Sequence, residues 1–189
     1  FTKSTGTWDN ITPSGLDARV PDLELSSTGR LHVICGYYNS AATSSGYRYT
    51  DNPATVTAST WTSPASTFPT QYNVAIESNG NTLYALPSNS AWGVPTIYKS
   101  TNGGANWAAT GTTPAFTSGQ AWYCMAVAID PNNANNVIVG SLDCYKTTNG
   151  GTSWVKSLDW SYNNQRGVWS VILNPKNRNT VYAATTEGV

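Results

Sequence analysis

The segment Tyr98–Trp107, YKSTNGGANW, returns 47 residues later as Tyr145–Trp154, YKTTNGGTSW. A ten-residue phrase repeated inside one chain constrains the fold strongly, because both copies must serve the same supersecondary unit. Each copy has the chemistry of a β-hairpin tip. Asn102-Gly103-Gly104 and Asn149-Gly150-Gly151 supply residues that tolerate positive φ, as tight hairpin turns require. Tyr98 and Tyr145 open the incoming strands, and Trp107 and Trp154 begin the outgoing ones. Both indoles are expected to be buried anchors. The Asn102 and Asn149 side chains are expected to accept hydrogen bonds within their own turns.

Trp8, Trp61, Trp107 and Trp154 are spaced 53, 46 and 47 residues apart. A two-strand phrase recurs in step with them, as VPDLELSSTGRLHVICG from Val20, VAIESNGNTLYALP from Val74, VAIDPNNANNVIVG from Val127 and VILNPKNRNTVYAAT from Val171. Several short strands per 40–50-residue unit indicate propeller blades. The chain is therefore predicted to be all-β, a single β-propeller of four-stranded antiparallel blades, about four in number. Blade 2 covers 18–63, blade 3 covers 72–110 and blade 4 covers 122–156. Blade 1 combines 168–189 with 1–12, so Val181–Val189 is expected to pair with Phe1–Ser4, in the same chain or in a second copy. An intermolecular closure would make a homodimer; the other reading is a piece of a larger propeller.

The formal charge is zero and only 11% of residues are charged, which argues against a nucleic-acid partner. No apolar run is long enough for a membrane span. Ser, Thr, Asn, Gly and aromatic residues dominate, the composition of a secreted, extracellular β protein. The chain begins at Phe1 without Met, which reads as a processed or excised piece. Cys124 and Cys144 flank the predicted hairpin Ala126–Gly140, whose turn is placed at Asp130–Asn136. They are expected either to bridge as a disulfide or to pack as small buried hydrophobes. With one histidine, His32, and no Cys-x-x-Cys pair, no metal site and no cofactor are expected.

The repeated phrase resembles the Asp-box, Ser-x-Asp-x-Gly-x-Thr-Trp, of the BNR-repeat β-propellers. Ser100, Asn102, Gly104 and Trp107 match one copy, and Thr147, Asn149, Gly151 and Trp154 match the other, with Asn in place of Asp. The family includes sialidases, xyloglucanase-like glycosidases and sortilin-type receptors. IDPNNANNVIVG and LNPKNRNTVYAAT look most like the xyloglucanase-like group. The resemblance implies that the box turns lie on the face opposite the ligand site. It also implies a role for Arg19, since Ala18-Arg19-Val20-Pro21 resembles the Arg-Ile-Pro motif whose arginine grips the substrate carboxylate in sialidases.

The opposite face is built by the loops between blades and between second and third strands. Trp92, Trp122, Trp160 and Tyr162 belong there, together with Arg19 and Arg166, and are the ligand-binding candidates. Aromatic rings beside amides stack on the C–H faces of sugars, although many such rings fill seams between blades. A glycosidase needs two carboxylates; Asp143 and Asp159 are the catalytic candidates, placed to approach the propeller axis. The expected function is a secreted module recognising carbohydrate or an extracellular protein without catalysis. The alternatives are a glycoside hydrolase, or a fragment of one, and a structural or assembly propeller.

Overall fold

The computed structural model describes residues 8–159, 167–177 and 179–188. Short antiparallel strands dominate it, and the one helical segment among these residues is a 3-10 turn at Ala42–Ser44. The strands form four antiparallel sheets. The first holds β1 (Leu23–Leu25), β2 (Leu31–Cys35) and β3 (Gly46–Thr50). The second runs β4 (Val74–Asn79), β5 (Thr82–Pro87), β6 (Tyr98–Ser100) and β7 (Ala108–Ala109). The third runs β8 (Ala126–Asp130), β9 (Asn133–Gly140), β10 (Cys144–Thr147) and β11 (Val155–Leu158). The fourth pairs β12 (Val168–Leu173) with β13 (Val181–Thr185). Within every sheet, strands follow one another as a meander. The first strands β1, β4, β8 and β12 pack side by side in that order, which makes them the inner strands of a propeller arc.

Alternation along each strand sends neighbouring side chains to opposite faces. On β4, Val74 and Ile76 face the first sheet, while Ala75 faces the third. On β5, Leu83 and Ala85 join the former seam, and Tyr84 and Leu86 the latter. On β8, Val127 and Ile129 face the second sheet, and Ala126 and Ala128 face β12. The three apolar clusters of the chain are thus the three seams between successive sheets.

The two repeated turns take the expected form. Asn106 and Ser153 each donate a backbone N–H to the side-chain oxygen of Asn102 and Asn149, at 2.9 and 3.0 Å. Ser100 and Thr147 use their hydroxyls to accept from the N–H groups of Gly104 and Gly151, at 2.9 and 3.1 Å. Gly104 has φ +81°, and a Cβ there would lie 1.8 Å from the Tyr47 hydroxyl of the preceding sheet. That hydroxyl shares a 2.6 Å hydrogen bond with the buried His32 Nδ1.

The tryptophans of the two turns differ. Trp107 is buried, edge-on to Tyr47 and Phe68 at 5.4 and 4.8 Å. Trp154 is only half-buried, a correction to its expected role, because its neighbour is a linker rather than two aromatic rings. Its Nε1 donates to the Thr112 carbonyl at 3.0 Å. The same strap recurs elsewhere. Trp61 Nε1 donates to the Ile11 carbonyl at 2.7 Å, and Ser66 Oγ accepts from the Trp107 N–H at 2.9 Å. In each case the linker preceding a sheet lies across the far end of that same sheet. Trp8 is largely exposed, and the segment that precedes it lies outside the described residues.

One further expectation is corrected, and an open one is decided for buried thiols. The β8–β9 connection is tighter than Asp130–Asn136, because the strand resumes at Asn133; Asp130 caps the turn by accepting from the Asn132 N–H at 2.9 Å. Cys124 and Cys144 are free buried thiols, not a disulfide. They sit in the seam between β8–β10 and β12, where Cys124 Sγ meets Ser141 Oγ at 3.4 Å and burial pushes the Cys144 thiol up to about 11. Val181–Thr185 forms β13, but the predicted pairing with Phe1–Ser4 lies outside the described residues. No helix among the described residues is long and apolar enough to cross a membrane.

Trp107→Ala is expected to cost about 3–5 kcal/mol as a large-to-small core change, and Trp154→Ala clearly less. Gly104→Ala is expected to cost more than about 2 kcal/mol, because a left-handed backbone and a clash with Tyr47 combine. Urea unfolding of the three variants tests both statements, and equal midpoints for Trp107→Ala and Trp154→Ala would contradict the burial difference.

Candidate functional site

Residues just before the inner strands converge at one end of the arc, opposite the repeated turns. Arg19 and Asp22 come from the approach to β1, Asn73 from the approach to β4, and Trp122 and Tyr123 from the approach to β8. With Trp169 of β12 they enclose a cleft of about 680 Å³. It continues between the inner strands into a second space of about 310 Å³, sharing Asp22, Ala75, Met125 and Trp169. On its outer side a shallow shelf of Tyr37, Tyr38, Trp92 and Trp122 adjoins it.

Aromatic surface is the cleft's distinguishing property. Trp122 is 50% exposed, Trp169 48% and Tyr38 66%. The Tyr38 and Trp92 rings stack at 5.8 Å with 20° between planes, and Tyr72 meets Trp92 edge-on at 5.5 Å. Both Tyr38 and Trp92 have positive φ, 51° and 56°. Bulky residues rarely adopt that backbone region, and strain of this kind concentrates where the chain must present a surface. The Trp92 turn is held by Asn89, whose side-chain oxygen accepts from the Ala91 and Gly93 N–H groups at 3.0 and 3.1 Å.

The sequence-predicted residues divide clearly. Arg19 and Trp122 line the cleft, and Trp92 lines the shelf but is half-buried rather than fully exposed. Arg19 does not present an open fork. Its guanidinium pairs with both Asp17 oxygens and donates to Ser40 Oγ at 3.0 Å. That grip holds the Asp17 carboxyl well below the usual carboxylate range. Trp160, Tyr162 and Arg166 lie outside the described residues.

Asp143 and Asp159 are brought together, but not in the cleft. Lys156 Nζ bridges them, at 2.8 Å to Asp143 and 3.0 Å to Asp159. They flank the ends of β10 and β11, the two strands farthest from the inner strand β8, so they do not approach the axis. Phe68 and Phe116 are buried seam residues.

The carboxylates that do line the cleft are Asp22, Glu24 and Glu77. Glu24 and Glu77 lie in strands and Asp22 directly before one, so none of them stands out in the sequence as a loop carboxylate. Asp22 accepts from the Leu23 and Ile76 N–H groups, both at 2.8 Å, linking β1 to β4. Glu24 accepts from the Ser78 hydroxyl. Burial, with the charges of Glu24 and Asp22, pushes Glu77 up to about 7.

Neither a family model nor a curated protein matches the chain. Among solved structures, an ancestral GH74 enzyme superposes with a TM-score of 0.58 at 20% identity, covering 94% of this chain. The chain spans 23% of that enzyme's length. The Niastella koreensis GH74 enzyme gives a TM-score of 0.38 at 15% identity, over 82% of this chain and 33% of its own.

Folded Glu77 keeps its proton to about pH 7, whereas the unfolded group releases it near 4.5. The native state therefore binds more protons between these values, and stability falls as pH rises through that window. His32, whose burial lowers it to about 4, acts oppositely, costing stability as pH falls below 6.5. Glu77→Gln is expected to flatten the decline between pH 5 and pH 8 while leaving the His32 contribution in place. Urea midpoints of both proteins at the two pH values test this; unchanged pH dependence would refute it. The strands, the meander order and the superposition together define an all-β fold of propeller-type antiparallel blades.

Proposed function

We propose that this chain is a propeller module that binds carbohydrate in the aromatic cleft without catalysis of its own. The observation carrying this reading is the exposed run of rings from Tyr38 through Trp122 to Trp169, beside the polar groups of Arg19, Asn73 and Asp22. A sugar's C–H face gains from stacking on such rings, and the adjoining polar groups take its hydroxyls. Arg19, clamped by Asp17, orders the loop between residues 17 and 40 instead of gripping a ligand carboxylate. Asp143 and Asp159, sharing Lys156 at the periphery, do not flank a bound sugar.

The test is affinity electrophoresis against a panel of soluble polysaccharides, with a reporter-sugar hydrolysis screen alongside. Retardation by at least one polysaccharide is expected, with no turnover. Trp122→Ala should weaken binding by about tenfold or more, the worth of one stacked ring. No retardation by any member would overturn the reading.

A second reading, a glycoside hydrolase or a piece of one, is favoured by Glu77 alone. An acid protonated near neutral pH in a cleft that also holds Asp22 is the pairing a glycosidase uses. Turnover that Glu77→Gln and Asp22→Asn each abolish would establish it in place of the first.

A further inference from the structure

The cleft is uneven in charge, and the unevenness bears on what kind of sugar it takes. Its mouth is aromatic, and the one cation there among the described residues, Arg19, is paired with Asp17. Its lower part is enclosed by Asp22 just before β1, Glu24 of β1 and Glu77 of β4, facing Met125 before β8, Ala126 and Val127 of β8, and Trp169 to Ile172 on β12. None of the residues lining that lower part is Lys, Arg or His. Carboxylates gathered in a half-enclosed space repel one another and gain from any cation placed among them. An aromatic wall adds to the same preference, because the face of an indole attracts an ammonium group.

We propose that the cleft is selective for a cationic amino sugar, a 2-amino-2-deoxy-hexose chain that stacks its ring on Trp122 or Trp169 and directs its ammonium group toward Asp22, Glu24 and Glu77. This rests on the carbohydrate reading above and names its ligand class. Two of the carboxylates keep an oxygen engaged by the protein. Asp22 accepts from backbone N–H groups with both oxygens, and Glu24 accepts from Ser78. They are held in position before a ligand arrives, which limits the ordering that binding requires. Glu77 is raised first by burial and then by the charges of Glu24 and Asp22, which places the three carboxylates within electrostatic reach of one another.

A pair of ligands equal in length and linkage separates charge from stacking: a glucosamine oligomer and its N-acetylated, uncharged counterpart. Calorimetric titration at about pH 7, where Glu77 can give up its proton and part of the amines stay charged, is expected to show the glucosamine oligomer binding about tenfold or more tightly. The preference should shrink in high salt, as screening predicts. In Glu24→Gln/Glu77→Gln the preference should fall to near parity, while affinity for the N-acetylated oligomer is kept and so reports an intact cleft. Equal binding of the two oligomers by the parent protein, or a preference for the acetylated one, would overturn the charge selectivity and leave the carbohydrate reading standing. So would binding of other polysaccharides with neither oligomer bound. A preference surviving in the double variant would overturn the assignment to these carboxylates. Failure of every saccharide would remove both proposals together.

Discussion

Sheets in this chain are stable only as neighbours. The two middle sheets are apolar on both faces, so neither face of these can be left to water without losing the burial that offsets chain ordering. The alternation on β4, β5, β8 and β9 divides side chains between two seams with little to spare: Tyr84 goes one way, Leu83 and Ala85 the other. A one-residue slip in register would exchange the two sets and place Glu77 in the Tyr47–Phe68 seam. The aromatic cleft lies where the inner strands, held by these seams, leave space toward the axis. What fills the remaining space is whatever side chains the strand ends supply.

That division explains what could be seen beforehand. The repeat spacing and alternation disclosed the strands, the meander order and the propeller-type blades, because these depend on local periodicity and hydrogen-bonding turn chemistry. Asn102 and Asn149 are legible for the same reason: an Asn before two glycines has few other uses. The site is legible at its aromatic rim, because Trp122 falls in a loop before an apolar strand, on the face where the loops gather aromatic residues. Its acidic floor is not. Asp22, Glu24 and Glu77 sit within strand-like phrases, and nothing in a linear sequence says that β1 and β4 present them to a shared space. Asp143 and Asp159 are legible as loop-face acids of one blade, but their distance from the axis depends on strand order across the sheet, and Lys156 joins them on the outer side.

The two tryptophans of the repeated phrase make a related point. Identical local motifs place Trp107 and Trp154 alike on their hairpins, yet one is enclosed and the other half-open. The difference comes from the preceding sheet. Tyr47 and Phe68 close over Trp107, whereas Thr110 and Thr112 meet the Trp154 turn. Motif identity sets hydrogen bonding inside the turn, and the neighbour sets burial.

The straps carry a consequence for how the molecule is made. Each linker that receives a later indole, Ile11 for Trp61 and Thr112 for Trp154, lies upstream of the sheet it ties. A ribosome emits the acceptor first and the tryptophan some forty to fifty residues later. Every new sheet can therefore fasten itself to chain already outside the tunnel, without waiting for anything downstream. Assembly proceeds as a succession of backward attachments, each of which shields an apolar face soon after it appears and so shortens the time it is open to association with other nascent chains.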